Sequence, residues 1–295
     1  MDSRFSRNNL EDFLLYYSYY FPSRRSSRQK EAVLRFICEK YKDLSYEVNL
    51  VSAGKGLNKT SCCVVGDLKK AEHVYMAPLD TCRITHLPGY CIYPLDEKRR
   101  TKTDGYADVL ETFLAFIGMV IIYFIVSRFT KDRFVTAGME AAFMLLYSVA
   151  QNNRFTFSRS SAMAFVSALA AEKKDPKAAY VFIDNCADSY AGLNAFLLEN
   201  KDLCCRAKRL IYFDFMANGE TLIYASRRKK SISNVDMKTI ILNEDYPACF
   251  TPCPNLAMIF TADTQENEYI VHKVRSKDDT HVDVDRLKTL LKSFE

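Results

Sequence analysis

The chain predicts an α/β fold: a mixed, twisted sheet flanked by helices on both faces, with a hydrophobic helical hairpin inserted into it. Three observations predict it. Short apolar or alternating runs bounded by turn residues alternate with helix-period segments along the sequence. One run, Ala179–Ile183, is apolar at every position, as suits a buried strand. Between residues 112 and 150 the alternation gives way to two long stretches almost free of charge.

The elements follow in order. Helical periodicity runs from Asn8 to Tyr20 and from Ser27 to Tyr41. Extended segments follow at Tyr46–Val51, Thr60–Leu68 and His73–Asp80, and the Gly66–Lys70 stretch suits a hairpin connection. The Ala179–Ile183 strand stops at Asp184-Asn185, and a helix begins at Tyr190 after a polar turn. "RLIYFDFMA" and "ETLIYAS" read as a strand pair joined through Asn218-Gly219. Asn255–Phe260 reads as another buried strand, and "VDRLKTLLKSF" as a closing helix. Residues 1–107 and 151–295 then form one domain, and 108–150 the hairpin.

Composition narrows the function classes. The 295 residues are long enough for a large core, and 48% apolar with 26% charged matches ordinary globular chains. The net charge of +5 is mild. Its clusters, Arg24-Arg25, Lys98–Arg100 and Arg227–Lys230, carry no aromatic interleaving, so they read as solvated loops and no nucleic-acid partner is expected. Ten cysteines include the neighbours Cys62-Cys63 and Cys204-Cys205, which suit thiols buried on opposite faces of a strand. Cys249 and Cys253 lack a second half with zinc-ligand spacing. Without a secretory leader pattern, the expectation is reduced thiols in the cytoplasm or at the cytoplasmic face of a membrane.

Thr112–Ser127 holds sixteen residues without a charge, and Phe134–Ala150 only Glu140. Each is just short of the usual spanning length. A single spanning helix is excluded by topology, because it would place strands of one sheet on opposite sides of a bilayer. A pair returns the chain to its starting side. The expected partner is therefore a membrane through residues 112–150, the alternative being a hairpin packed on the sheet or on a second copy of the chain.

The order of the remaining motifs resembles the co-catalytic di-zinc aminopeptidase family, whose relatives include glutaminyl cyclases and the silent ectodomain of the transferrin receptor. The resemblance covers about Ser27 to Glu295 apart from the hairpin. "MAPLDT" resembles a strand end that keeps Asp80, the carboxylate that orients a zinc-binding His, but has Pro78 in place of that His. "SRSSAMAFVSALA" is similar to the segment with the metal-bridging Asp, and places Ser158 there. "FIDNCADSYAGLNAF" is similar to the catalytic turn, with Cys186 for the general-base Glu and Ala187 for a metal-binding Glu. "YFDFMANGE" keeps Asp214 as a true ligand, and "VRSKDDTHVDVD" has Arg275 where the last zinc-binding His stands.

What the resemblance implies is an aminopeptidase-like fold whose zinc centre has degenerated. Pro and Ala cannot ligate, Ser is a poor ligand, and Arg repels a dication. Neither metal nor other cofactor is therefore expected, and no catalytic residue. An unpaired Asp214 would be costly in a buried site, so Arg275 is expected to take the metal's place beside it. Asp80, Asp184, Asp188, Asp214 and Arg275 are the candidate cleft residues. Cys186 as a nucleophile lacks a base, since His73, His86, His272 and His281 fall on none of the matched positions. Asp80, Asp184, Asp188 and Asp214 are oxygen ligands suited to Mg or Ca, but caps and turn bonds explain aspartates at strand ends more cheaply. The function expected is a membrane-associated pseudopeptidase that binds or scaffolds a protein or peptide. The alternative is an active, aminopeptidase-like peptidase or amide hydrolase, zinc-dependent or rebuilt around Asp80, Asp184, Cys186 and Asp214.

Overall fold

The structure, a computed structural model, describes residues 9–54, 59–151, 156–187, 189–228, 232, 235–242, 246–266 and 268–294. Helix α1 (Leu10–Leu15) opens under an Asn9 cap and continues as a π-helical turn, Tyr16–Tyr20. Helix α2 (Ser27–Asp43) starts with a reciprocal cap between Ser26 and Gln29, which satisfies two otherwise orphaned backbone donors. Strands β1 (Val48–Ala53), β2 (Thr60–Val65), β3 (His73–Pro78) and β4 (Cys91–Ile92) precede the hairpin. Its helices are α3 (Glu97–Phe129) and α4 (Arg133–Ala150). Then come α5 (Phe157–Lys173), β5 (Ala178–Ile183), α6 (Ala191–Glu199), α7 (Lys201–Arg206), β6 (Arg209–Phe213), β7 (Thr221–Ser226), β8 (Lys238–Ile241), β9 (Leu256–Gln265), β10 (Glu268–His272) and α8 (Val284–Lys292).

The mixed sheet has the path β1-β2-β5-β3-β6-β9-β10-β4, with β7 also paired to β9 and β8 to β7. Strands β5, β3, β6 and β9 are mutually parallel. This corrects two expected hairpins. Between β2 and β3 sits β5, and between β6 and β7 sits β9, so Gly66–Lys70 and Asn218-Gly219 connect strands that are not neighbours. Long-range apolar pairing outcompeted the local turn chemistry.

Alternation along the strands divides the core. One face buries Cys63, Tyr75, Tyr180, Phe182 and Phe213 against α1, α2, α5 and α8. The other buries Cys62, Val74, Met76, Val181 and Tyr212 against α6 and the segment around Phe250. Cys62 and Cys63 thus point to opposite faces, as expected. Cys204 and Cys205 do not, because they lie on helix α7, one buried and one exposed.

Helix α3 starts at Glu97, ahead of the boundary expected at 108. Its first turns bury Arg100, Asp104, Ala107, Glu111 and Ala115, a stripe at helical spacing that faces the domain. Beyond Ala115 neither α3 nor α4 contains a buried residue. The hairpin therefore does not pack on the sheet, which removes one alternative raised by the sequence. Its two helices meet where Gly118 lies under Phe143: a Cβ at 118 would come within 2.2 Å of that ring. Helix α3 is long and apolar enough to cross a membrane.

Candidate functional site

Three parallel strands place the site. Pro78 is in register with Ile183, and Met76 with Tyr212, so β3, β5 and β6 end side by side. Asp80, Asp184 and Asp214 follow those ends, where α/β sheets present ligand-binding groups. Helix α5 enters from the side with Ser158 and Arg159 in its first turn.

Asp80 is buried and accepts the backbone N–H groups of Cys186 (3.0 Å) and Ala187 (2.9 Å), so it fixes the turn after β5. Asp214 is fully buried and accepts from the N–H of Phe215 (3.1 Å). Between the two carboxylates lies Arg159, 3.8 Å from Asp80 and 3.6 Å from Asp214. Its Nη2 also donates to the Ala187 carbonyl at 3.1 Å. Burial raises the pKa of both carboxyls, and Arg159 opposes that rise in each. Arg100, from helix α3, donates to the carbonyls of Cys186 (3.1 Å) and Ala187 (3.2 Å). The guanidiniums of Arg159 and Arg100 lie 4.9 and 5.7 Å from the Phe215 ring, and Arg100 also lies 4.2 Å over Tyr190. A third buried guanidinium at the strand ends is that of Arg24, whose Nε donates to the Leu79 carbonyl at 2.6 Å.

The expected Arg275–Asp214 pair is not formed. Arg275 is buried, but its guanidinium pairs with Asp104 (3.2 Å) and Asp108 (2.9 Å) of α3 and donates through Nε to the Arg83 carbonyl (2.9 Å). Asp104 also accepts from the Tyr90 hydroxyl. Arg275 therefore binds the hairpin's root, and the partner of Asp214 comes from α5. The expectation that Arg24 and Arg100 belong to solvated loops is corrected too, since both are buried. Arg159 carried a signal that was passed over: it is the only charge from Phe157 to Ala171, and a lone charge on such a helix is buried against a partner. Arg100 carried none, because Lys98 and Arg99 beside it are exposed.

The other predicted positions are engaged in structure. Pro78 is the last residue of β3. Ser158 donates to Asp279 at 2.6 Å, and Asn218 donates to both (2.7 and 2.9 Å). Burial pushes the Asp279 carboxyl up to about 7, against hydrogen bonds from Ser158 and Asn218. Asp184 pairs with Lys30 at 2.6 Å. Cys186 is fully buried, and burial followed by the nearby Asp80 drives its thiol well above the ordinary range. Ala187 supplies its carbonyl to Arg100, Arg159 and Cys82. Asp188 lies outside the described residues. Gly192 is required here because a Cβ would sit 1.9 Å from the Asp184 carbonyl oxygen, which lets α6 start tight against the turn.

These residues do not fit a di-zinc centre. Asp80 and Asp214 share a guanidinium, Ser158 is committed to Asp279, and a third cation next to Arg159 and Arg100 would meet repulsion. Among the described residues, no three His, Cys, Asp or Glu side chains converge to hold a metal ion. Nor do Asp80, Asp184, Cys186 and Asp214, although brought close, include an accessible base and nucleophile: the thiol is buried and raised, and each carboxylate has a cationic partner.

The sequence matches no family profile and no curated protein. Solved structures do match. Porphyromonas gingivalis glutaminyl cyclase aligns over 97% of this chain and 93% of its own, at 11% identity and a TM-score of 0.53. Macrostomum lignano glutaminyl cyclase aligns over 99% and 88%, at 11% identity and a TM-score of 0.51. The Legionella pneumophila LapA aminopeptidase aligns at 12% identity and a TM-score of 0.47, and this chain spans 65% of its length. The fold is that of the glutaminyl cyclase structures.

Proposed function

We propose that this chain is a catalytically inactive, aminopeptidase-like protein that acts by binding or scaffolding from the cytoplasmic face of a membrane. The observation that carries this reading is Arg159, placed between Asp80 and Asp214 at the strand ends where the resemblance would put metal. A fixed guanidinium there neutralises the two carboxylates and removes the reason for them to take up a dication. Helix α3 supports the same reading, because Arg100 and the Arg275–Asp104 pair seat its root beside the strand ends. Membrane association rests on the apolar surface of the hairpin beyond Ala115, which no described residue of the domain covers.

The test uses the full chain. Hydrolysis of aminoacyl amides and cyclisation of N-terminal glutaminyl peptides are measured with chelator and with added zinc, beside bound-metal analysis. No turnover above background and substoichiometric zinc are expected. Activity that chelator abolishes and zinc restores would overturn the proposal in favour of an active hydrolase. Fractionation tests location: the protein is expected to need detergent for release from membranes. Recovery in the soluble fraction as a dimer would assign the hairpin to a second copy of the chain.

A further inference from the structure

Two cavities run into each other at the root of the hairpin. The first, about 550 Å³, opens beside the strand ends and is lined by Arg25, Gln29, Lys30, Thr81, Arg83 and Asn185, among others. The second, about 580 Å³, lies between the hairpin helices, where Ala115, Phe116 and Met119 of α3 face Met144 and Tyr147 of α4. Arg83 and Ser148 line both. The groove is thus basic and polar at one end and apolar at the other.

The acids along it are committed. Asp80 is held by two backbone N–H groups and Arg159, and Asp108 by Arg275. Glu111 accepts from the Tyr147 hydroxyl (2.7 Å), Gln151 (3.0 Å), Thr85 (3.1 Å) and the His86 N–H. Lys30 is itself paired with Asp184. Arg83 differs: it is exposed, and no ion pair or side-chain hydrogen bond occupies its guanidinium among the described residues. Among the described residues of the lining, Arg83 is thus an uncommitted cation, and it stands at the junction of the basic and apolar halves.

We infer that this groove seats an anionic phospholipid, its phosphate on Arg83 and one acyl chain along Phe116, Met119 and Met144. The inference rests on the membrane reading of the hairpin. The apolar half lies at the first turns of the apolar stretch, nearest the domain, where headgroups lie when the hairpin is inserted. A soluble anion satisfies Arg83 but leaves Phe116 and Met144 exposed, and a lipid without phosphate does the reverse. A zwitterionic phospholipid brings its own cation beside the phosphate, which weakens its hold on Arg83. A guanidinium is suited to phosphate, offering it paired donors.

The experiment is flotation of the full-length protein with vesicles of phosphatidylcholine alone or mixed with phosphatidylserine, beside phosphorus analysis of protein purified in detergent. The expected result is binding to both vesicles, stronger to the mixed ones, and about one phospholipid retained per chain. Arg83→Ala should weaken binding to mixed vesicles by about fivefold, the factor one cation contributes near an anionic surface, and should weaken binding to phosphatidylcholine less. It should also lose the retained lipid. Arg83 is exposed, so an unchanged urea midpoint is expected and separates this loss from misfolding. Equal binding to both vesicles, or an Arg83→Ala protein that keeps its lipid, overturns the inference and leaves membrane association standing. Full competition by glycerophosphoserine, the headgroup without chains, overturns it in favour of a soluble anion. Failure to float on either vesicle defeats the membrane reading itself.

Discussion

Helix α3 is one continuous helix with two opposite halves. From Glu97 to Glu111 its buried residues are mostly charged: Arg100, Asp104 and Glu111. From Thr112 to Phe129 its exposed residues are mostly apolar, with Phe113, Phe116, Ile121, Phe124 and Phe129 all outward. Both departures run against the usual pattern of charge outside and apolar side chains inside. The first half answers to partners within the chain, since each buried charge meets one: Arg100 the turn carbonyls, Asp104 Arg275, Glu111 residues of α4 and of the 85–86 segment. The second half meets α4 along one side, with Gly118 under Phe143, while its outward apolar side chains have no partner among the described residues. The contrast teaches that the hairpin is bolted on by ion pairs and hydrogen bonds, and that its apolar surface is free for something else.

If that contrast is sound, the root should be sensitive to substitution and the distal part should not. Removing Arg275 has the largest expected effect. Arg275→Met leaves Asp104 buried with the Tyr90 hydroxyl and Arg100, 3.9 Å away, and should lower unfolding free energy by about 3 kcal/mol in urea titration. Adding Asp104→Asn to it should recover part of that loss, and strict additivity would show that the pair is not coupled.

A pH effect comes next. Asp279 is raised to about 7 from an ordinary 3.8, so between those values the folded chain holds a proton that the unfolded chain releases. Stability should therefore fall as pH rises from about 4 to about 7, by up to roughly 4 kcal/mol, and level off above. Asp80 and Asp214 shift in the same direction. Asp279→Asn should flatten the profile of urea midpoint against pH, and a profile that rises across this window would refute the assignment.

Glu111→Ala should cost about 1–3 kcal/mol, because it strips an acceptor from Tyr147, Gln151 and the His86 N–H at once. The smallest effect belongs to the distal part. Leu145→Ser with Leu146→Ser should leave the unfolding free energy within about 0.5 kcal/mol, both side chains being exposed. The same pair should reduce recovery in the membrane fraction. A loss of stability comparable to that at the root would break the distinction between the halves.

Most of the sheet was legible in the sequence because its strands announce themselves locally: Ala179–Ile183 and Asn255–Phe260 are apolar at nearly every position. Their order was not, since β5 inserts between β2 and β3 through contacts distant in sequence, and a turn-rich segment such as Gly66–Lys70 does not reveal whether the strands it joins will be neighbours. The positions of the site were legible through Asp80, Asp184 and Asp214, each ending an extended run. The pairing among them was not. Arg275 and Arg159 are equivalent as charges, and only the entry of α5 at the strand ends decides which one meets Asp214. The root of the hairpin was hidden because Glu97–Glu111 is as polar as a loop, its buried face carrying charge instead of leucine.

The insertion of β5 between β2 and β3 also sets an order of events during synthesis. Until Ala178–Ile183 has been made, the two earlier strands have no common neighbour and the strand ends cannot assemble. By then the whole of α3 has already been synthesised. The interval between Phe129 and Ile183 is roughly 3 to 11 seconds at a translation rate of 5–20 residues per second. During it, the most apolar part of the chain is available while the domain that will anchor it is still unfolded. The apolar hairpin is therefore exposed as a nascent segment before the domain that holds its root can fold.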